Sequence, residues 1–473
     1  MASTLLINGA KVLLIPVYTR YLSPSEYGIL GAANAISGFL SMILLLGLDA
    51  AVVRHYYDLR DNPKELHSYV SSVCMFMILL NVVVLTGLFV CGPKLFSWLI
   101  PGSKVAFWPY IGLGLLIASV TSFLGVFMAL LQAQKRVVAY TVAQMSRFII
   151  LVSLTLLLLL GLRRGAAAPL WGELAATALI VLALGWLHLL RTNSESRASL
   201  EGAPSASAFS MPQLKAALVF GIPLVPHEMS NWALSVSDRL ILTRYRPVEE
   251  VGVYVLGYSM AMAMNVLVGA LNFAYVPFFL DTAQNHPRAK EVFGRIARLY
   301  VVGVGGICLV AMLFARELLN WIAPPAYSRS GGVLVVVLLA FFFLGLYLVT
   351  VLPFFHAKRT AKLPLLSGLS AVVNIGLNLW LVPRYGAMAA AWTTLAAYVV
   401  LFGSVSVAAG RFYSIDYKWW RFAGLILFIA VLGLTLGSKS WEFKVLACSI
   451  FFSIAAYIIR DDLRLAPLLR TAP

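Results

Sequence analysis

His227, Glu228, Asn231, Ser235 and Asp238 recur at helical spacing, so one face of a single helix carries an imidazole, two carboxylates, an amide and a hydroxyl inside an apolar stretch. Such a stripe can hold a proton or a sodium ion, or it can seam two helices together. Pro223 and Pro226 interrupt its start, and a broken helix frees backbone groups that bind ions or accompany hinge motion. Asp49 lies within another apolar run, as an ion site or as the partner of a cation on a neighbouring helix.

The cations follow the same logic. Arg147 stands within VAQMSRFII, well past the basic QAQKR loop, with Gln144 three residues earlier on the same face. A guanidinium at that depth needs a cavity or a buried partner, and with the amide it suits a sugar or a phosphate. Asn8, Lys11 and Tyr18 share a face of the first apolar run, where Lys11 either lines a cavity or snorkels to the interface. Arg54 follows Asp49 by five residues, a spacing that turns the two apart; it either binds phosphate oxygens bidentately or anchors the helix end. Asn374 and Asn378, on one face with Ser367 and Ser370, join helices or face a sugar, and Asn265 and Asn272 mark another such face. Glu173 and His188 read as interfacial residues of their span.

The elements that position these residues are set by composition. Of the 473 residues, 61% are apolar and only 12% charged, and the mean hydropathy is +0.89. These values exclude a water-soluble globule, in which about 25% of residues carry charge. Apolar stretches long enough for a bilayer core about 30 Å thick recur near 3–22, 27–53, 69–91, 107–131, 137–161, 168–190, 213–236, 250–280, 296–315, 331–355, 363–382, 386–409, 418–437 and 443–459. Only helices satisfy the backbone there, so the expectation is an all-α integral membrane protein of about fourteen spans. The first run lacks the layout of a signal peptide, since Lys11 interrupts it. The excess of 36 Lys and Arg over 19 Asp and Glu is scattered through short loops, which speaks for membrane topology and against nucleic acid. It falls more heavily on the side of Arg54, Lys135, Arg136, Lys358 and Arg460, so both termini are expected in the cytoplasm. Four cysteines without CxxC spacing point to neither a disulfide framework nor a metal site, and no catalytic residue is assigned.

A repeat organises the spans. Thr19-Arg20-Tyr21 recurs as Thr243-Arg244-Tyr245, Glu26 and Gly28 as Glu250 and Gly252, Lys135-Arg136 as Lys358-Arg359, and Trp171 as Trp392, in the same order and at nearly constant displacement. Six spans per repeat give two lobes of like orientation around a central cavity. The expected division is an N-terminal lobe at 1–190, a polar linker at 191–212, a second lobe at 213–410, and two further helices with a tail at 411–473.

The opening LLINGAKVLLIPVYTRYLSPSEYGILGAANAI, with Tyr18, Arg20, Tyr21, Leu22, Pro24, Glu26, Tyr27 and Gly28, resembles the start of Wzx-type polysaccharide flippases of the multidrug/oligosaccharidyl-lipid/polysaccharide exporter superfamily. The QAQKR and HAKRTAK loops and the six-plus-six plan are similar too. The resemblance implies movement of an undecaprenyl-pyrophosphate-linked oligosaccharide from the inner to the outer leaflet of a bacterial plasma membrane by alternating access. Arg147, Lys11 and Arg54 would then attract the pyrophosphate, with Gln144, Asn8, Asn374 and Asn378 toward the cargo. Asp49, Glu228, Asp238, Asn231 and His227 would bind the coupling proton or sodium ion, with no other cofactor. The expected partners are the lipid-linked oligosaccharide, the phospholipid membrane, and a glycan polymerase and glycosyltransferases of the same pathway. Two other readings stand beside this one. A cation-coupled drug antiporter of the same architecture would want an acidic, aromatic cavity. A membrane-embedded polymerase or glycosyltransferase would want a large external loop or an acid cluster for general acid/base work.

Overall fold

A computed structural model of the chain describes residues 14–100, 105–198, 209–437 and 439–464, and the account below concerns these. They form helices in chain order: α1 Ile15–Tyr21, α2 Pro24–Leu45, α3 Leu48–Leu59, α4 Pro63–Leu99, α5 Gly112–Ala133, α6 Val137–Leu156, α7 Ala167–Ala198, α8 Met211–Gly221, α9 Val225–Tyr245, α10 Val248–Asn285, α11 Ala289–Leu313, α12 Ala315–Ile322, α13 Ser330–Thr350, α14 Leu352–His356, α15 Leu363–Gly410, α16 Trp419–Thr435 and α17 Trp441–Arg464. The spans expected from hydropathy fall on helices where they are described, with 27–53 broken at Leu46–Gly47 and 213–236 at Ile222–Leu224, and among the described residues ten stretches are long and apolar enough to cross a bilayer. Two expected spans fuse into the 48-residue α15, whose only non-helical residue is the left-handed Gly386. The protein is an all-α membrane protein.

Packing groups the helices into two units. The first spans Ser25–Gly252, hence α2 to α9 and the start of α10. The second joins α1, up to Pro24, to the chain from Val253 onward. The boundaries thus differ from the linker at 191–212, because α8 and α9 pack with the first unit and α1 with the second.

Within the first unit the core of α3, α4, α5 and α8 interdigitates Leu48, Val52, Tyr69, Val73, Met77, Val126 and Ala217, all fully or almost fully buried. Where no solvent drives helices together, such close packing and interhelical hydrogen bonds must hold them. One face of α4 is correspondingly apolar and bare, with Met75, Leu79, Val82, Val83 and Val90 exposed, as suits a surface turned to lipid. Asn62 caps α4, its Oδ1 accepting from the Glu65 amide at 3.4 Å while its Nδ2 donates to the Glu65 carboxylate at 2.9 Å. The amide of Ser210, which precedes α8, donates to the Ser72 hydroxyl at 2.7 Å and ties α8 to α4.

The second unit is built on aromatic packing. Phe279 stacks on Phe293 with ring centroids 4.0 Å apart, and Tyr258 meets Phe341 edge-on at 5.5 Å. Two hydrogen bonds fasten α1 into it: the Thr19 hydroxyl donates to the Ile322 carbonyl at 3.2 Å, and the Tyr327 hydroxyl donates to the Leu22 carbonyl at 2.9 Å.

Candidate functional site

The site begins with two broken helices in the first unit. Leu46 and Gly47 both adopt left-handed backbone, ending α2 and letting α3 restart one residue later. Gly221 ends α8, and the tight turn Ile222–Leu224, with Pro223 inside it, precedes α9. The two breaks touch. A Cβ on Gly47 would lie 2.5 Å from the Gly221 carbonyl oxygen, and a Cβ on Gly221 would lie 2.5 Å from that of Leu46, so only glycine permits this approach.

The restarted helices each carry a carboxylate in their first turn, Asp49 in α3 and Glu228 in α9. Unsatisfied backbone N–H groups at a helix start favour negative charge there, which suits a carboxylate at each position. Both line one cavity of about 250 Å³, together with Ser41, Thr121 and Ser122. An enclosure of carboxylate and hydroxyl oxygens suits a proton or a small hard cation. Among the described residues no cluster of three or more His, Cys, Asp or Glu could hold a metal ion.

The polar stripe of α9 divides. Glu228 and Asn231 are exposed on the unit's surface, and His227 is half-buried with its Nε2 3.5 Å from the Asn231 amide nitrogen. Asp238 is buried inside the unit, where its Oδ1 accepts from the Arg239 amide at 2.7 Å. Helical spacing aligned the five residues correctly, but the helix passes from an open end to a packed one, so Asp238 does not join Glu228 in the cavity.

Arg147 on α6 reaches across to α7. It pairs with the Glu173 carboxylate and its Nε donates to the Thr177 hydroxyl at 3.0 Å, both charged side chains being about one-fifth exposed. Gln144 lies half-buried one turn earlier. The buried-partner alternative for Arg147 is therefore realised, through an acid that the sequence placed at the interface. Arg54 is exposed and paired with Asp58 at 2.7 Å, an i,i+4 surface pair. In the second unit, Asn374 and Asn378 are wholly buried, the Asn378 amide donating to the Asn374 carbonyl at 2.9 Å, so they belong to helix packing and not to a polar lining. Asn8 and Lys11 lie outside the described residues.

Two features escaped the sequence reading. Lys444, at the start of the last expected span, is almost wholly buried, with its ammonium 2.5 Å from the Glu317 carboxylate and 5.4 Å from the Phe314 ring centroid. Burial alone would raise the Glu317 pKa, but the hydrogen bond from Lys444 and the charges of Lys444 and Arg316 together hold it below the usual carboxylate range. His67 of α4 and His188 of α7, far apart in sequence, stack with centroids 5.5 Å apart.

Comparisons with known proteins agree with this architecture. Residues 1–283 match the family described as polysaccharide biosynthesis protein. A curated relative, "Lsg locus putative protein 1" of Haemophilus influenzae, is 19% identical over 363 residues, covering 77% of this chain and 84% of its own. An uncharacterized membrane protein of the same organism is 24% identical over 374 residues, with the same two coverages. Among solved structures, lipid II flippase MurJ in an inward closed conformation superposes with a TM-score of 0.71 at 13% identity, covering 98% of this chain and 99% of that one. An inward-facing multidrug resistance MATE family transporter of the MOP superfamily gives 0.64 at 14%, covering 86% and 98%. At such identities the likeness establishes the fold alone, an all-helical transporter fold. Matched over more than half its length, the chain belongs to the polysaccharide biosynthesis protein family.

Proposed function

We propose that this protein flips an undecaprenyl-pyrophosphate-linked oligosaccharide from the inner to the outer leaflet of a bacterial plasma membrane by alternating access, with both termini in the cytoplasm. What carries this reading is membership of a polysaccharide biosynthesis family by a chain with a membrane transporter fold. A polysaccharide pathway needs its glycan carried across hydrocarbon, which the polar sugar and pyrophosphate cannot cross unaided while the polyprenyl tail need never leave it. A glycan polymerase and glycosyltransferases of the same pathway would supply and consume the cargo.

The cavity shared by Asp49 and Glu228 is the proposed coupling site. A coupling ion moves a conformational equilibrium only through different affinities for the two states. The touching breaks at Gly47 and Gly221 are where such a difference would arise, because any rotation of α9 against α3 would change which oxygens the cavity presents. His227 and Asn231 neighbour Glu228 along α9 but do not line the cavity. Arg147 and Gln144, with Lys11, Asn8 and Arg54, are the proposed contacts to the pyrophosphate and sugar.

The test is a vesicle assay with a defined lipid-linked oligosaccharide, read as glycan accessible on the outer leaflet. The wild-type protein should flip it under a proton or sodium gradient. Asp49→Asn and Glu228→Gln should remove the gradient dependence while Asp238→Asn keeps it. Unchanged gradient dependence in the first two variants would take the cavity out of coupling, and export of organic cations in place of glycan would overturn the flippase reading.

A further inference from the structure

A second polar enclosure lies at one end of the first unit, away from Asp49 and Glu228. Arg60 follows the last residue of α3, His67 sits in the second turn of α4, Arg136 immediately precedes α6, and His188 stands near the end of the apolar part of α7. The ends of these helices converge on a cavity of about 420 Å³ lined by all four. Roughly 30 Å³ is the share of one liquid water, so the space takes a polyatomic group and not merely a lone ion.

Its lining has one sign of charge. Two guanidiniums and two imidazoles face it, and no carboxylate does among the described residues. Of the acids nearest in sequence, Asp61 makes only a long, solvent-exposed pair with Arg60 at 3.8 Å, which an incoming phosphate would have to displace, and the Glu65 carboxylate accepts from Asn62. From α3 the other titratable group is Tyr56, and α5 contributes only apolar side chains such as Phe127. The His67 and His188 rings are nearly parallel, 18° apart at 5.5 Å, and the His67 Nε2 is 3.2 Å from the Ser71 hydroxyl. Two imidazoles at that distance repel when both are charged, so protonating the pair needs an anion beside it.

We propose that this cavity binds a phosphate-bearing anion, foremost the headgroup of an anionic phospholipid, and that binding is linked to proton uptake by the stacked His67 and His188. Guanidiniums match phosphate oxygens bidentately, which assigns Arg60 and Arg136 to the phosphate. Apolar Phe127 and Leu187 beside them suit the first carbons of a lipid and have no use for free phosphate. The inference stands apart from the transport reading, since it concerns ligand binding at a separate cavity.

The test uses the purified full chain in neutral detergent, titrated calorimetrically at pH 5.5 and pH 8 with short-chain phosphatidylglycerol, short-chain phosphatidylcholine or inorganic phosphate. Phosphatidylglycerol should bind one-to-one and about tenfold more tightly at pH 5.5, the factor that accompanies a one-unit rise in an imidazole pKa. Arg136→Gln and His188→Gln should each weaken it by about tenfold, and His188→Gln should also flatten the pH dependence. Arg136 is exposed, so its variant keeps the fold, and equal melting temperatures verify this for both. Tight binding of inorganic phosphate, lost in the same variants and not displaced by phosphatidylglycerol, would keep the anion site and overturn its assignment to lipid. No binding of either anion, binding unaltered by the substitutions, or equal binding of phosphatidylcholine would overturn the site itself.

Discussion

Arg147 is a side chain whose need for a partner is written in the sequence while the partner itself is not. Its depth required a partner or a cavity, and both were legible in VAQMSRFII, but nothing in the sequence selected Glu173 on the next helix. Removing one member of a mostly buried pair strands the other charge. Arg147→Ala should therefore destabilise the protein by about 3 kcal/mol, and Arg147→Ala with Glu173→Ala by less than the sum of the single losses, as read from denaturation in detergent. Flipping that returns in the double variant would make the pair structural, whereas flipping that stays lost would assign the guanidinium to the cargo. Lys444 makes a separate case. Glu317 titrates below its ordinary range, so the stability its charge contributes is full above the unfolded pKa of about 4.3 and is lost as pH falls through the lower folded value. The melting-temperature gap between wild type and Glu317→Gln should hold from pH 7 to 5 and close in stronger acid.

At the scale of elements, hydropathy located the helices because lipid leaves the backbone no other choice, while the breaks were only half visible. Pro223 announced one, and Gly47, in the unremarkable run LLLGLDAAVV, did not announce the other. Its importance comes from Gly221, some 170 residues away in sequence, a relation no local pattern can encode. Gly47→Ala must accept a left-handed alanine, costing about 1–2 kcal/mol, and a collision with the Gly221 carbonyl besides. It should lower the melting temperature markedly and abolish gradient-dependent flipping. Gly87→Ala, with nothing within 4 Å of the new methyl, should leave both unchanged.

At the scale of the molecule, the repeat predicts two lobes of six spans, whereas packing places α8 and α9 with α2 to α7 and α1 with the later helices. Duplication records where segments came from. Contact depends on pairs such as Ser72 with Ser210, which sequence spacing does not reveal. A protease site introduced in the linker at 200–206 should test this grouping. After cleavage in detergent the two pieces should co-purify, since Ala217 and Leu234 remain buried in the unit that also holds α4 and α5. Separation of the pieces would contradict it.

The attachment of α1 has a consequence for biosynthesis. Thr19 and its acceptor Ile322 are 303 residues apart, and Leu22 waits for Tyr327 across 305. At translation rates of 5–20 residues per second, the opening helix enters the bilayer about 15–60 s before the ribosome has made the segment that receives it. Through that interval it must be sheltered by lipid, by the insertion machinery or by a chaperone, so a helix made early waits for a permanent address that is made much later.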